Sequence, residues 1–201
     1  MLTLYHAPRS RSLRVVWLCE ELGIPYAPKR VTFVTPGRAF SAQDTPLGKL
    51  PVIEDGEVTI CESGAIIEYV VERHGGGRLA PPIGSPLRAE FLQWMHFCEG
   101  TAAVPMSTLI WHMRYKGDAE RVPEIIDDAR VRAQSGLAFV ERGLAGKTHL
   151  LGAEFSAADV MMGFTLLAAR VLGVLDEQFP LTTAYLARLE ARPAFQRAVA
   201  A

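Results

Sequence analysis

The sequence predicts a small α/β domain followed by a larger all-helical domain. Strand-like runs alternate with amphipathic helical stretches up to His74, whereas from Leu87 onward the apolar residues recur with helical spacing. A segment rich in glycine and proline, from Gly75 to Pro86, separates the two halves and is typical of a linker. We therefore expect an α/β domain over residues 1–77, a linker over 78–86 and a helical domain over 87–201.

In the first half the pattern predicts strand, helix, strand, a β-hairpin and a second helix. Gly23-Ile24-Pro25 ends the first helix, and Asp55-Gly56-Glu57 is a turn signal between two short apolar runs. The strands and helices alternate as βαβ and then ββα, so they can form one sheet covered by helices. The expected bounds are Leu2–Tyr5, Ser12–Leu22, Tyr26–Val34, Pro51–Glu54, Val58–Cys61 and Ser63–His74.

The second half shows no strand-like alternation. A long helix is expected over Leu87–Lys116, and Pro105 inside it should kink the backbone near Thr101–Ala102, because proline lacks the N–H and its ring clashes with the carbonyl four residues earlier. The helix that starts at Ser156 is apolar on all sides, as a buried helix should be. The remaining expected helices are Val122–Ala145, Ser156–Gly173, Thr182–Ala191 and Pro193–Ala200.

Composition narrows the functional classes. With 201 residues, 49% of them hydrophobic, the chain can bury a sizeable core. A formal net charge of −1 gives no electrostatic case for binding nucleic acid or an anionic membrane surface. No apolar run approaches a transmembrane helix, and the N-terminus lacks the features of a signal peptide. Three cysteines are too few for a disulfide scaffold, so we expect a cytoplasmic protein.

Gly48-Lys49-Leu50-Pro51-Val52-Ile53 is an unusual strand start, because proline cannot donate a ladder hydrogen bond. It is tolerable if the Leu50–Pro51 bond is cis and Leu50 faces a ligand, to which it then offers its N–H and C=O groups. Shortly afterwards Glu62-Ser63 begins a helix, whose N-terminus is an anion site. A backbone clamp close to a carboxylate pocket is what a short acidic peptide requires.

In their order and spacing, four segments resemble the glutathione S-transferase family over nearly the whole chain. They are Leu2-Thr3-Leu4-Tyr5, the turn Pro8-Arg9-Ser10-Arg11-Ser12-Leu13-Arg14, the Pro51 and Ser63 pattern, and Phe155-Ser156-Ala157-Ala158-Asp159-Val160. The resemblance implies a thioredoxin-like domain followed by an all-α domain, with glutathione as co-substrate and no metal. It also implies a homodimer, with the Ser63–His74 and Leu87–Lys116 helices at the interface.

The resemblance implies that a hydroxyl in the first turn activates the glutathione thiol. A free thiol has a pKa of about 8.5, and each unit of depression stabilises the thiolate by about 1.4 kcal/mol. Ser10 aligns with the plant and bacterial serine-type enzymes, and its place before a helix N-terminus adds the helix dipole to its hydrogen bond. Ser12 and Tyr5 remain alternatives, and Ser10 could instead only cap the first helix.

The glutathione-binding residues implied by the resemblance are Leu50, Pro51, Glu62 and Ser63. Ser63 and Glu62 would hold the γ-glutamyl carboxylate and ammonium groups, although Ser63 could equally be a helix cap. Lys49 and Arg38 are candidates for the glycyl carboxylate, although a lone cation is often a solvated surface charge. The histidines show no paired spacing typical of a metal site, so no metal site is expected.

An apolar electrophile would bind between the Pro8–Ser12 turn and the kinked helix, where Met106, Leu109, Ile110 and Met113 follow the kink. The same stripe could be ordinary core. The resemblance implies conjugation of glutathione to such electrophiles, as in detoxification, and extends to the reduction of organic hydroperoxides. The alternative is a non-catalytic module for ligand binding or assembly. The turn and the Glu62-Ser63 pocket are both intact, which favours the enzyme.

Overall fold

The computed structural model describes residues 1–32 and 45–201. The described chain divides into two compact units, one formed by Met1–Pro82 with Glu190–Ala201 and the other by Ile83–Leu189. The first holds a four-stranded sheet with helices and the second is helical, which confirms the predicted fold class. Arg38, a predicted ligand for the glycyl carboxylate, lies outside the described residues.

The sheet of the first unit has the strand order β2-β1-β3-β4, with β1 and β2 parallel and the other pairs antiparallel. Strand β2 is an edge strand, which is where Pro28 is tolerated because an edge leaves one row of N–H groups unused. Gly56, with φ of +62°, forms the predicted hairpin turn. The elements are β1 (Leu2–His6), α1 (Leu13–Leu22), β2 (Tyr26–Arg30), β3 (Val52–Asp55), β4 (Val58–Cys61) and α2 (Ser63–Arg73).

The helices of the second unit follow the predicted order. Where one long helix was expected, the structure has two α-helices joined by a π-helical turn, Cys98–Ala102. This turn contains Thr101, four residues before Pro105, whose carbonyl would accept from the N–H of residue 105 in a regular α-helix. Proline has no N–H, so the α-helical hydrogen-bond pattern is interrupted at this carbonyl. The helices are α3 (Pro86–Phe97), α4 (Ala103–Ile110), α5 (Pro123–Gly143), α6 (Ala157–Val171) and α7 (Pro180–Glu190); a second π-helical turn covers Trp111–Tyr115.

The last helix, α8 (Pro193–Ala200), packs against α1 and belongs to the first compact unit. The Phe195 ring packs edge to face against the Trp17 ring, with 5.0 Å between the ring centroids. Arg192 forms a bidentate ion pair with Glu21. The domain bounds 1–77 and 87–201 stay predictions. Helical periodicity identified this helix but could not tell which surface it covers.

Asp159 organises the start of α6 from a fully buried position. Its carboxylate accepts hydrogen bonds from the backbone N–H and the hydroxyl of Ser156, at 2.7 and 2.9 Å. It also accepts from the Leu150 N–H at 2.9 Å and the Tyr185 hydroxyl at 2.6 Å. The aspartate therefore reaches back to the helix start, and it also joins α6 to α7 and to the preceding loop.

Within the described ranges, no helix combines the length and the hydrophobicity needed to cross a membrane.

Candidate functional site

Ser10 lies in the turn between β1 and α1, three residues before Leu13, the first residue of the helix. Its side chain is half-buried, and its hydroxyl donates to the carbonyl of Ala7 at 2.8 Å. The hydroxyl oxygen of Ser12 is 2.6 Å from that of Ser10. Backbone bonds from Leu13 to Ser10 and from Val15 to Ser12 wind the first turn of α1 directly behind these hydroxyls. Ser10 therefore presents a partly exposed donor beside a helix N-terminus.

The two alternative hydroxyls are buried. Ser12 is fully buried, and its hydroxyl oxygen lies 2.8 Å from Nδ1 of His6. Tyr5 is 6% exposed; its hydroxyl donates to Glu54 at 2.6 Å and accepts from the ammonium group of Lys29 at 2.9 Å. The Tyr5 hydroxyl thus joins three strands of the sheet. Of the three candidates, Ser10 has the most accessible side chain.

The cysteines are not placed for thiol chemistry in this turn. Cys19 lies on the buried side of α1, where desolvation and the neighbouring charge of Glu20 raise the pKa of its thiol to about 12. Cys98 is also buried, and Cys61 is half-buried at the end of β4. A thiol with a pKa near 12 stays protonated at neutral pH and is a poor nucleophile.

The Leu50–Pro51 peptide bond is cis, the form in which the sequence allows a proline at this strand start. Leu50 is only 9% exposed and packs in a small apolar cluster with Tyr5, Ala7 and Val52. Ala7 also provides the carbonyl that accepts from Ser10. The cluster therefore holds the Leu50 segment against the turn that carries Ser10.

Glu62 and Ser63 stand where β4 turns into α2. Glu62 is exposed and has φ of +72°, a conformation that residues other than glycine rarely adopt. Ser63 is 3% exposed, and its hydroxyl accepts a hydrogen bond of 2.9 Å from Nη1 of Arg14. The turn thus places the exposed Glu62 carboxylate directly before the Ser63 hydroxyl, which is fixed by its hydrogen bond from the buried Arg14.

Arg14 is a residue that the sequence reasoning did not assign to the site. It is fully buried on α1, and its bond to Ser63 joins the helix after the Ser10 turn to the start of α2. Its position gave a usable signal: Arg14, Leu18 and Leu22 share one face of α1, and a cation on an apolar face needs a partner when it is buried. The identity of that partner, 49 positions away, was not readable from the sequence.

The remaining predicted residues differ in their placement. Lys49 is exposed on the segment just before Leu50. In the second unit Met106 and Leu109 are 3% and 0% exposed, whereas Ile110 and Met113 are half-buried. Among residues 1–32 and 45–201, no group of three histidine, cysteine or carboxylate side chains is arranged to hold a metal ion.

Comparison with known proteins identifies the family of this chain. Residues 4–78 match the N-terminal domain of glutathione S-transferases, and residues 123–188 match their C-terminal domain. Glutathione S-transferase 3 of Schizosaccharomyces pombe is 30% identical over 182 residues, which cover 85% of this chain and 75% of that protein.

Two solved structures with bound glutathione are also similar. The theta class glutathione S-transferase of Xanthomonas axonopodis pv. citri is 28% identical, with a TM-score of 0.83 over 100% of this chain and 97% of that one. A glutathione transferase of Burkholderia graminis, solved with two glutathione molecules per subunit, is 26% identical, with a TM-score of 0.86 over 98% and 87%. The two matched domains together span more than half of the chain, so this protein belongs to the glutathione S-transferase family of enzymes.

Proposed function

We propose that this enzyme conjugates the thiolate of glutathione to apolar electrophiles and that Ser10 activates the thiol, as in the serine-type branch of the family. The observation that carries the proposal is the half-buried Ser10 hydroxyl, placed at the start of α1 and packed through Ala7 against the Leu50 segment. A hydroxyl that donates to sulfur beside a helix N-terminus favours the thiolate over the thiol.

Glutathione binding is assigned to the backbone of Leu50 beside Pro51 and to the pocket formed by Glu62 and Ser63. The buried Arg14 holds the Ser63 hydroxyl as an acceptor, so its proton is free to be donated to the γ-glutamyl carboxylate. The exposed carboxylate of Glu62 matches the ammonium group beside it. Lys49 and Arg38 are assigned to the glycyl carboxylate at the opposite end of the peptide.

The proposed reaction begins when the glutathione thiol loses its proton to solvent and the Ser10 hydroxyl donates a hydrogen bond to the resulting thiolate. The thiolate then forms a carbon–sulfur bond with the electrophile, whose leaving group departs with the bonding electrons. With an organic hydroperoxide, two glutathione molecules are oxidised to the disulfide while the hydroperoxide is reduced to an alcohol and water.

The helical segment with Met106, Leu109, Ile110 and Met113 is assigned to the apolar substrate. We also assign to the enzyme a homodimeric state and a role in cytoplasmic detoxification.

The test is the Ser10→Ala variant, compared with Ser135→Ala, which removes an exposed serine hydroxyl from α5 in the other unit. Ultraviolet absorbance of the bound thiolate is followed against pH, and conjugation and peroxidase rates are measured with a panel of substrates. Ser10→Ala should raise the pKa of bound glutathione toward about 8.5 and slow turnover at neutral pH, with recovery at high pH. Its affinity for glutathione should change little, because the peptide is held elsewhere.

Two outcomes would contradict the proposal. If Ser10→Ala leaves the thiol pKa unchanged while Ser12→Ala or Tyr5→Phe raises it, the thiol-activating role passes to that residue. If calorimetry finds that the wild type does not bind glutathione, the proposed function itself is wrong.

A further inference from the structure

Three polar side chains form a continuous row that starts in the interior and ends at the site. Nδ1 of His6 lies 2.8 Å from the hydroxyl oxygen of Ser12, which in turn lies 2.6 Å from that of Ser10. His6 is 3% exposed and Ser12 is fully buried, whereas Ser10 is half-buried. The row therefore has its one accessible end at Ser10.

We propose that His6 and Ser12 are positioning residues that direct the Ser10 hydroxyl proton toward the sulfur of bound glutathione. This inference rests on the proposed function and assigns a task to two buried residues behind the thiol-activating hydroxyl. Neither of them touches the sulfur.

Each serine hydroxyl has one hydrogen to donate, which limits the hydrogen bonds that Ser10 and Ser12 can form. The Ser10 hydrogen has two competing acceptors within the protein, the Ala7 carbonyl at 2.8 Å and the Ser12 oxygen at 2.6 Å. If Ser12 donates its own hydrogen to Ser10, the Ser12 oxygen is removed from this competition. Ser10 can then turn its hydrogen outward to the thiolate while still accepting a bond from behind.

Ser12 donates to Ser10 only if it donates neither to His6 nor to the Ala7 carbonyl. The Ala7 carbonyl, at 3.3 Å, is the poorer acceptor, because the Ser10 oxygen lies at 2.6 Å. Donation to His6 is excluded when Nδ1 of His6 carries the ring hydrogen and donates it to Ser12. The backbone N–H of Ala7, 3.3 Å from the same oxygen, also favours Ser12 as an acceptor. All donors then point in one direction, from His6 through Ser12 and Ser10 to the sulfur, and such chains polarise one another.

The surroundings of His6 keep its ring neutral. Desolvation lowers the pKa of His6, and the positive charge of Arg30 lowers it further. A neutral ring carries a hydrogen on one nitrogen only, so His6 has two possible tautomers, with the hydrogen on Nδ1 or on Nε2. The proposal requires that nitrogen to be Nδ1 when glutathione is bound.

The experiment measures the pKa of bound glutathione in five variants by thiolate absorbance, with Ser10→Ala as the reference. Ser12→Ala and His6→Leu remove the second and third donors and should each raise the thiol pKa part of the way to the Ser10→Ala value. A rise of one unit corresponds to a thiolate-to-thiol ratio about tenfold smaller. His6→Asn places an amide N–H near the former Nδ1 and should restore the wild-type pKa. The Ser10→Ala/Ser12→Ala double variant should behave like Ser10→Ala alone, because the two residues act as a unit.

Binding of S-methylglutathione, which has no thiol hydrogen, is the control and should be the same in every variant. A purely structural role of His6 and Ser12 would lower the melting temperature and leave the thiol pKa at its wild-type value. If Ser10→Ala raises that pKa while Ser12→Ala and His6→Leu do not, the positioning role is overturned and the proposed function stands. If Ser10→Ala does not raise it either, the assignment of Ser10 fails, and the role of the two residues behind it fails as well.

A measurement on the unmutated enzyme does not depend on whether the variants fold. Nitrogen-15 NMR of the histidine rings, recorded with saturating glutathione, distinguishes the two neutral tautomers of His6. The expected result is hydrogen on Nδ1. Hydrogen on Nε2 alone in the bound state would overturn the proposal, because Ser12 would then donate to His6.

Discussion

At Glu62 the backbone conformation favours glycine, whereas the proposed site requires a carboxylate. Its φ of +72° and ψ of 113° lie outside the regions open to side-chain-bearing residues, and such a conformation costs about 1–3 kcal/mol. Glycine would adopt it without a steric penalty. The side chain is exposed, so packing does not account for a glutamate at this position. Its carboxylate, directly before α2, accounts for it if the residue binds a ligand cation.

This conflict leads to a test with two substitutions that remove the same carboxylate. Glu62→Gly and Glu62→Ala should both weaken glutathione binding about tenfold or more, because each loses a hydrogen bond to a charged group. Glu62→Gly should unfold at a higher temperature than Glu62→Ala, because only glycine relieves the strained backbone. Calorimetry and thermal unfolding provide the two readouts. Wild-type affinity in both variants would remove Glu62 from the site, and equal melting temperatures would show that the backbone is not strained.

Between two helices, the contact of α3 with α5 depends on the absence of a side chain at Gly143. A Cβ atom added to Gly143 would lie 2.6 and 2.8 Å from two ring atoms of Trp94, which is itself buried. Real Cβ atoms do not approach other atoms so closely, so the ring would have to move within a packed core. Glycine therefore allows the end of α5 to approach the Trp94 ring.

Gly143→Ala should lower the free energy of unfolding by about 1–3 kcal/mol through overpacking. Helix propensity alone would act in the opposite direction, favouring alanine by about 1 kcal/mol. The matched control is Gly100→Ala in the π-helical turn, where an added Cβ meets nothing within 4 Å and the variant should be as stable as the wild type or slightly more so. Urea unfolding measures both. Equal stability of the two variants would show that Trp94 adjusts without cost.

The stability of the protein should depend on pH through several groups, and His6 and Asp55 are two of them. Desolvation first and the Arg30 charge second lower the pKa of His6 from its ordinary 6.5. The pKa of Asp55 is also below its ordinary 3.8: the hydrogen bond with His74 is the largest cause, partial desolvation opposes it, and a bond from the Tyr69 hydroxyl adds to it. The unfolded chain therefore binds a proton more readily than the folded protein at both positions.

Because both pKa values are lowered, both contributions are present at neutral pH and disappear on acidification. Stability should fall as the pH drops from about 6.5 through the folded pKa of His6, and again below about 3.8 through that of Asp55. His6→Asn should abolish the first decline. Asp55→Asn should reduce the second without abolishing it, because the pKa of Glu141 is lowered as well, its desolvation being outweighed by hydrogen bonds from Thr182 and Leu181. Urea unfolding at a series of pH values is the measurement. A first decline that persists in His6→Asn would assign it to another group.

The order of the elements and the family follow from the sequence alone, and the sequence also predicts the segments of the candidate site. Apolar periodicity, the turn at Gly56 and the effect of Pro105 on its helix are local properties, so they can be recognised along the chain. The same is true of Ser10 before α1 and of Glu62 before α2, because a position at the start of a helix is defined by its immediate neighbours.

Which of these groups come into contact depends on the tertiary structure. The bond from Arg14 to Ser63, the use of the Tyr5 hydroxyl by Glu54 and the packing of α8 on α1 all join residues far apart along the chain. Such contacts depend on strand register and on the rotation of each helix about its axis, which neither composition nor spacing specifies. The row from His6 to Ser10 spans few residues, yet it too depends on tertiary structure, because the winding of the turn sets the distances between its hydroxyls.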